Sequence, residues 1–127
     1  MFQENGINIF GPKKAAARLE YSKDYCKSVL NAAGVRTARA FTCLTYEQAQ
    51  SELTTAAFPL VIKADGLAAG KGVVICSNMT EGKNALNYVF NELKAGKVLF
   101  EEYLKGQEVS LIVATNGVQY VSFPVSH

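Results

Sequence analysis

Residues 59–76 read PLVIKADGLAAGKGVVIC, two short apolar runs separated by a glycine loop. Leu60 to Ala64 is β-rich and bounded by Pro59 and by the glycines, the signature of a buried strand. Val73 to Cys76 has the same character and is its natural hairpin partner. Between them Gly66, Gly70 and Gly72 stand among small alanines, so the backbone can turn tightly and come close to a ligand. Lys63 and Lys71 set a positive charge at each end. A glycine loop leaving a strand between two cations suits phosphate groups. Its spacing matches neither GxxxxGK[ST] nor GxGxxG, and taken alone it reads equally as a glycine-rich hairpin without a ligand.

On the N-terminal side, Gly11-Pro12 turns into a short helix filled by AAARLE. Ser22 is the N-cap of a second helix, with Tyr25, Cys26, Val29, Leu30 and Ala33 at helical spacing and Gly34 closing it. Lys23, Asp24, Lys27 and Asn31 occupy its other, polar face. Ala38 to Leu44 reads as a strand. Thr45 with Gln48 is a capping-box signature for a helix that stops before Pro59.

On the C-terminal side, Thr80 is expected to cap a helix whose apolar face is Ala85, Leu86, Val89, Phe90 and Leu93, ended by Gly96. Val98-Leu99-Phe100 is the next strand. Glu108 to Thr115 follows as another, with Val109 and Leu111 turned to the core. Asn116-Gly117 signals a hairpin into a last strand over Val118 to Ser122. This order makes an α+β fold with a mainly antiparallel sheet flanked by helices.

The chain has 127 residues, 49% hydrophobic and 19% charged. That is long enough to bury roughly two thirds of its unfolded surface without staples. A net charge of +2, evenly spread, gives nucleic acid no basic patch to bind. No run of about eighteen apolar residues marks a membrane span, and MFQENGINIF lacks the basic start and apolar centre of a signal peptide. Cys26, Cys43 and Cys76 are too widely spaced for a metal knuckle and read as buried free thiols of a reducing compartment. The single histidine is His127, which rules out a histidine triad or histidine metal cluster.

Three segments taken together, FGPKKAAARLEYSK (10–23), LVIKADGLAAGKGVVI (60–75) and EEYLKGQEVSL (101–111), resemble phosphoribosylamine–glycine ligase, the glycinamide ribonucleotide synthetase of the ATP-grasp superfamily. The resemblance covers nearly the whole chain, in order and at matching spacing. It implies an ATP-binding lobe of an enzyme of de novo purine biosynthesis, cytoplasmic, with ATP, Mg²⁺, glycine and 5-phosphoribosylamine as its partners. It also implies roles for individual residues. Lys63 is the strand lysine that contacts nucleotide phosphate, and Lys23 the helix lysine that reaches it from the opposite lobe. Gly66, Gly70, Lys71 and Gly72 belong to the loop that folds over the triphosphate. Glu101, Glu102, Tyr103 and Leu104 form the hinge, where the Glu102 carbonyl and the Leu104 N–H read the adenine edge. Glu108 takes the ribose hydroxyls.

These roles fit the chemistry of the groups. Hinge backbone presents a donor and an acceptor side by side, and a carboxylate can accept from two vicinal hydroxyls. Each residue also has a plainer reading on its own. Lys63 reads as a lysine snorkelling to a sheet edge, Glu101 and Glu102 as a solvated strand end, Glu108 as a hairpin charge, Lys23 as a solvated lysine, and Tyr103 as packing.

The resemblance further divides the chain. Residues 1–36 would be the end of an N-terminal domain, with Gly6 to Gly11 its last strand, leading into the ATP-grasp region. Residues 37–104 would be the small lobe with the phosphate loop, and 105–127 the start of the larger lobe. No catalytic or metal-binding residue is expected within 1–127, since the family's magnesium ligands fall beyond this stretch. The alternative is a stand-alone, non-catalytic nucleotide-binding module.

Overall fold

In the computed structural model, residues 3–66 and 71–127 are described, so Gly70 lies outside the described residues. A four-stranded antiparallel sheet is built from β1 (Ala40–Cys43), β2 (Leu60–Ala64), β3 (Val73–Cys76) and β4 (Val98–Glu102), in the order β1-β4-β2-β3. β2 and β3 have the bounds predicted from sequence, and they pair as a hairpin with Leu60 opposite Cys76. β4 runs two residues past its predicted apolar part. Its last two side chains, Glu101 and Glu102, are neutralised by Lys63 and Arg39, so pairing continues through them.

One face of this sheet is the core. Leu60, Ile62, Ala64, Val98 and Phe100 meet Ala49 and Leu53 of α3 (Tyr46–Leu53) and Ala85 and Leu86 of α4 (Met79–Asn87). Alternation along each strand places these residues on the same side. The Thr45 hydroxyl accepts from the Gln48 N–H, while the Gln48 side chain takes the Leu44 N–H, so α3 starts where the capping box predicts. α4 begins earlier than Thr80. Asn78 is its cap, accepting from the Glu81 N–H at 3.0 Å, and the Glu81 carboxylate returns to Ser77 N–H. The helix continues as a π-type turn over Tyr88–Glu92. It ends where Lys94 takes a left-handed conformation (φ 54°), two residues before the expected Gly96.

Before the sheet lie α1 (Lys14–Tyr21) and α2 (Lys23–Ala32). Ser22 caps α2 through the Tyr25 N–H. Gly34 (φ 66°) closes it, with Val35 N–H returning to Leu30 and Gly34 N–H to Asn31. The expected strand over Gly6 to Gly11 does not form. A short 3-10 turn, Gln3–Asn5, precedes an irregular segment in which Phe10 is 91% exposed, and among the described residues no strand pairs with it.

The C-terminal part also departs from expectation. β5 (Val113–Thr115) and β6 (Tyr120–Ser122) form a separate two-stranded sheet. The strand predicted from Glu108 is reduced to this piece plus one bridge between Ser110 and Ser126. Val109 and Leu111 are exposed rather than turned to a core, so no packing fixes an extended strand there. The hairpin loop holds four residues, not two, because the Asn116 side chain caps the Val118 and Gln119 N–H groups.

Candidate functional site

The antiparallel register puts Val61, Lys63, Val73, Ile75, Leu99 and Glu101 on the sheet face away from the core. α2 reaches the β1–β4 half of that face through Asp24 to Thr42 and Lys27 to Glu101. The β2–β3 half stays open as a cleft of about 220 Å³, floored by Val61, Val73 and Ile75. Six of the residues singled out from sequence line this cleft: Lys63, Glu101, Glu102, Tyr103, Leu104 and Glu108.

Their states differ. Glu101 is buried, and its Oε2 receives the Lys63 ammonium at 2.8 Å and the Lys27 ammonium at 3.5 Å. The Glu102 carboxylate turns away to Arg39, accepting its Nε at 2.8 Å and its backbone N–H at 3.0 Å. These two bonds hold the Glu102 carboxyl below the usual carboxylate range, the backbone donor contributing most. With its side chain so engaged, Glu102 can offer a ligand only backbone. The Leu104 N–H donates to no described residue, and Glu108 is exposed without a protein partner among the described residues. A donor and a carboxylate are therefore free at the rim of an apolar floor, a few residues apart.

Among the described residues Lys23, Gly66, Lys71 and Gly72 do not line this cleft. The Lys23 ammonium donates to the Gly66 carbonyl at 3.0 Å. Lys71 is exposed, and the Gly72 carbonyl accepts from the Ala64 N–H at 2.7 Å, closing the β2–β3 hairpin.

The polar face of α2 is the main departure from expectation. Asp24 and Lys27 turn to the sheet instead of to solvent, and Lys23 turns to the Gly66 carbonyl beyond β2. Lys27 spends its donors on Thr37 Oγ1, the Ala38 carbonyl and Glu101. Asp24 takes Lys97 Nζ at 2.6 Å and Thr42 Oγ1 at 2.7 Å, and these bonds hold its carboxyl below the ordinary value. Asp65, the residue after β2, is bonded to Ser22 Oγ, Asp24 N–H and Lys97. Burial pushes the Asp65 carboxyl up, but those three donors outweigh it and lower the value. Sequence reasoning did not single out Asp24, Lys27, Arg39, Asp65 or Lys97. The one available signal was Asp65 inside the loop motif; the others acquire partners only through the fold.

A family model, the ATP-grasp (A) domain of phosphoribosylglycinamide synthetase, matches residues 21–127. The chain belongs to this family. A curated relative, the phosphoribosylamine–glycine ligase of Leifsonia xyli, is 44% identical over 115 residues, 91% of this chain and 27% of its own length. The crystal structure of the Thermotoga maritima phosphoribosylamine–glycine ligase matches with a TM-score of 0.84 and 39% identity, over 93% of this chain and 31% of that one. A more distant structural match, the biotin carboxylase domain of Hydrogenobacter thermophilus 2-oxoglutarate carboxylase, was solved with MgADP, ADP and bicarbonate. It shares 29% identity at a TM-score of 0.63 over 82% of this chain and 24% of its own. The chain thus spans less than a third of the length of these three proteins. The α+β architecture read from sequence is the ATP-grasp fold of this family. Among the described residues no helix is long and apolar enough to cross a membrane.

Proposed function

We propose that this chain is the nucleotide-binding portion of a phosphoribosylamine–glycine ligase. One observation carries the reading: Lys63, the 102–104 backbone and Glu108 converge on a single cleft with an apolar floor. Adenine would lie on Val61, Val73 and Ile75, with its edge read by the Glu102 carbonyl and the Leu104 N–H. Glu108 would accept from the ribose hydroxyls. Lys63, Lys23 and Lys71 would neutralise phosphate, with the loop from Gly66 through Gly70 to Gly72 over it. Glu101, which lines the cleft as part of the hinge, would also orient Lys63.

In the longer protein the reaction is the joining of glycine to 5-phosphoribosylamine. The glycine carboxylate attacks the γ-phosphate, releasing ADP, and the amine then displaces phosphate from the glycyl phosphate. Such chemistry is mostly positioning and charge neutralisation, which is what the lysines supply. Magnesium, when bound with the nucleotide, would add to this charge neutralisation. Among the described residues no group of three or more His, Cys, Asp or Glu side chains converges that could hold the ion without a nucleotide. Asp24, Asp65, Glu101 and Glu102 are already paired with cations. No step is therefore assigned to a metal held by this chain.

The same reading makes residues 37–104 the small lobe, 105–127 the start of the larger lobe, and the protein a cytoplasmic enzyme. The core supports the first of these, since its cluster runs from Cys43 to Phe100. ATP titration of the chain, with and without Mg²⁺, tests the proposal. Saturable binding weakened by both Glu108→Ala and Lys63→Ala is expected. Binding indifferent to both changes, or none by folded protein, overturns it as a site formed by this chain. The chain alone is expected to form no amide from glycine and phosphoribosylamine.

A further inference from the structure

α2 joins the sheet through charge rather than apolar burial. None of its residues is buried, and none belongs to the core cluster. Its first turn is held at one point. Ser22 Oγ donates to Asp65 Oδ2 and the Asp24 N–H donates to Asp65 Oδ1, both at 3.1 Å. The residues on either side of Lys23 are thus both tied to the carboxylate of Asp65. Lys97, just before β4, completes the group by reaching Asp24 Oδ2 at 2.6 Å and Asp65 Oδ2 at 3.2 Å. The Asp65 N–H also donates to the Lys97 carbonyl at 3.1 Å, so the end of β2 and the start of β4 are joined twice. The Asp65 side chain is only 8% exposed, and charge-assisted bonds in such surroundings fix direction as well as distance.

We propose that Asp65 and Lys97 are positioning residues for Lys23. They hold the first turn of α2 against the end of β2 and set the Lys23 ammonium where nucleotide phosphates would bind. The inference rests on the nucleotide reading above. Lys23 already points to this place, since it donates to the carbonyl of Gly66, the residue after Asp65. An apolar contact would let the helix slide; two carboxylates sharing one ammonium do not.

The test compares two ligands, ATP and adenosine, which differ only in the phosphates. Asp65→Ala and Lys97→Met are each expected to weaken ATP binding about tenfold, the scale of one charge-assisted contact. Adenosine binding should change less than about twofold. In a Lys23→Ala background, Asp65→Ala should add almost nothing, because its effect runs through that lysine. Equal losses for both ligands, or additive losses in the double variant, overturn the proposal. Asp65→Asn keeps one acceptor oxygen for the Asp24 N–H, sets an amide donor opposite Ser22 Oγ and removes the charge facing Lys97, and serves if Asp65→Ala fails to fold; a smaller but ATP-selective loss is expected of it. Amide hydrogen exchange gives a readout without nucleotide. Either Asp65 variant should speed exchange in α2 while leaving β2 and β4 unchanged, and unchanged exchange in α2 overturns the proposal. A wild-type chain that binds neither ligand refutes the nucleotide reading and this role with it. Wild-type binding of ATP that is indifferent to Asp65 overturns the positioning role alone.

Discussion

Lys63 and Glu101 face each other diagonally across β2 and β4, with ammonium and carboxylate 2.8 Å apart on the floor of the cleft. The pair lies at the junction of two systems. Glu101 is nearly enclosed and also receives Lys27, so one carboxylate ties Lys63 of the sheet to α2.

Glu101→Gln leaves two ammonium groups without their shared carboxylate. Breaking a fully buried pair costs about 3–5 kcal/mol, and the partial exposure of Lys63 reduces this to about 1–3 kcal/mol. Urea unfolding of both proteins measures it. Equal midpoints would show that Lys63 and Lys27 find solvent or other acceptors at no cost.

Acid should loosen α2. The folded carboxyls of Asp24 and Asp65 lie below the ordinary 3.8, through Lys97 and Thr42 for Asp24 and against the opposing effect of burial for Asp65. Depressed carboxyls contribute stability that is present above their unfolded value and lost as pH falls through the folded one. Asp24→Asn should therefore flatten the melting temperature profile below about pH 4. Lys97 is raised above 10.5, chiefly by Asp24, so its contribution is complete below that pH and fades as pH climbs past it. Parallel acid profiles for wild type and Asp24→Asn would contradict this assignment.

The thiols should separate by reactivity. Burial, aided by Glu52, pushes Cys43 up to about 11, and burial with Glu81 raises Cys76. Thiolate is the reactive form, so both should resist an aromatic disulfide reagent in folded protein at mildly alkaline pH. Cys26, only half-buried, should label first. Labelling mapped by mass spectrometry would decide it, and early modification of Cys43 would mean that the core opens readily.

Gly82 in α4 faces Leu53 of α3, and a methyl group there would come within 2.7 Å of a Leu53 methyl carbon. Gly82→Ala gains about 1 kcal/mol of helix propensity. Overpacking against a side chain with no exposed surface costs about 1–3 kcal/mol, so a net loss of about 1 kcal/mol is expected. Combined with Leu53→Ala, the same change should cost less than the sum of the two alone. Strict additivity would show that the two positions are not in contact.

Local signals were legible before any coordinates. The bounds of β2 and β3, the Ser22 and Thr45 caps and the Gly34 stop each depend on a few adjacent residues, and local chemistry suffices for them. The start and stop of α4 were misread because Asn78 and Lys94 do locally what Thr80 and Gly96 were expected to do. The strand expected from Glu108 is shortened because its alternation implies a core that Val109 and Leu111 do not meet.

From its sequence alone, this protein's α+β class, its family resemblance and the residue types facing the cleft could be stated, because these follow from periodicity, punctuation and motif. The partners of those residues could not. Lys63 and Glu101 are 38 positions apart, Asp24 and Asp65 are 41, and Asp24 and Lys97 are 73. Only the register of β2 on β4 brings the first pair together, and only the docking of α2 turns its polar face inward. A helix's polar stripe looks the same in sequence whether it meets water or a carboxylate cluster. The choice is made by burial and charge pairing, which exist only once the chain has folded.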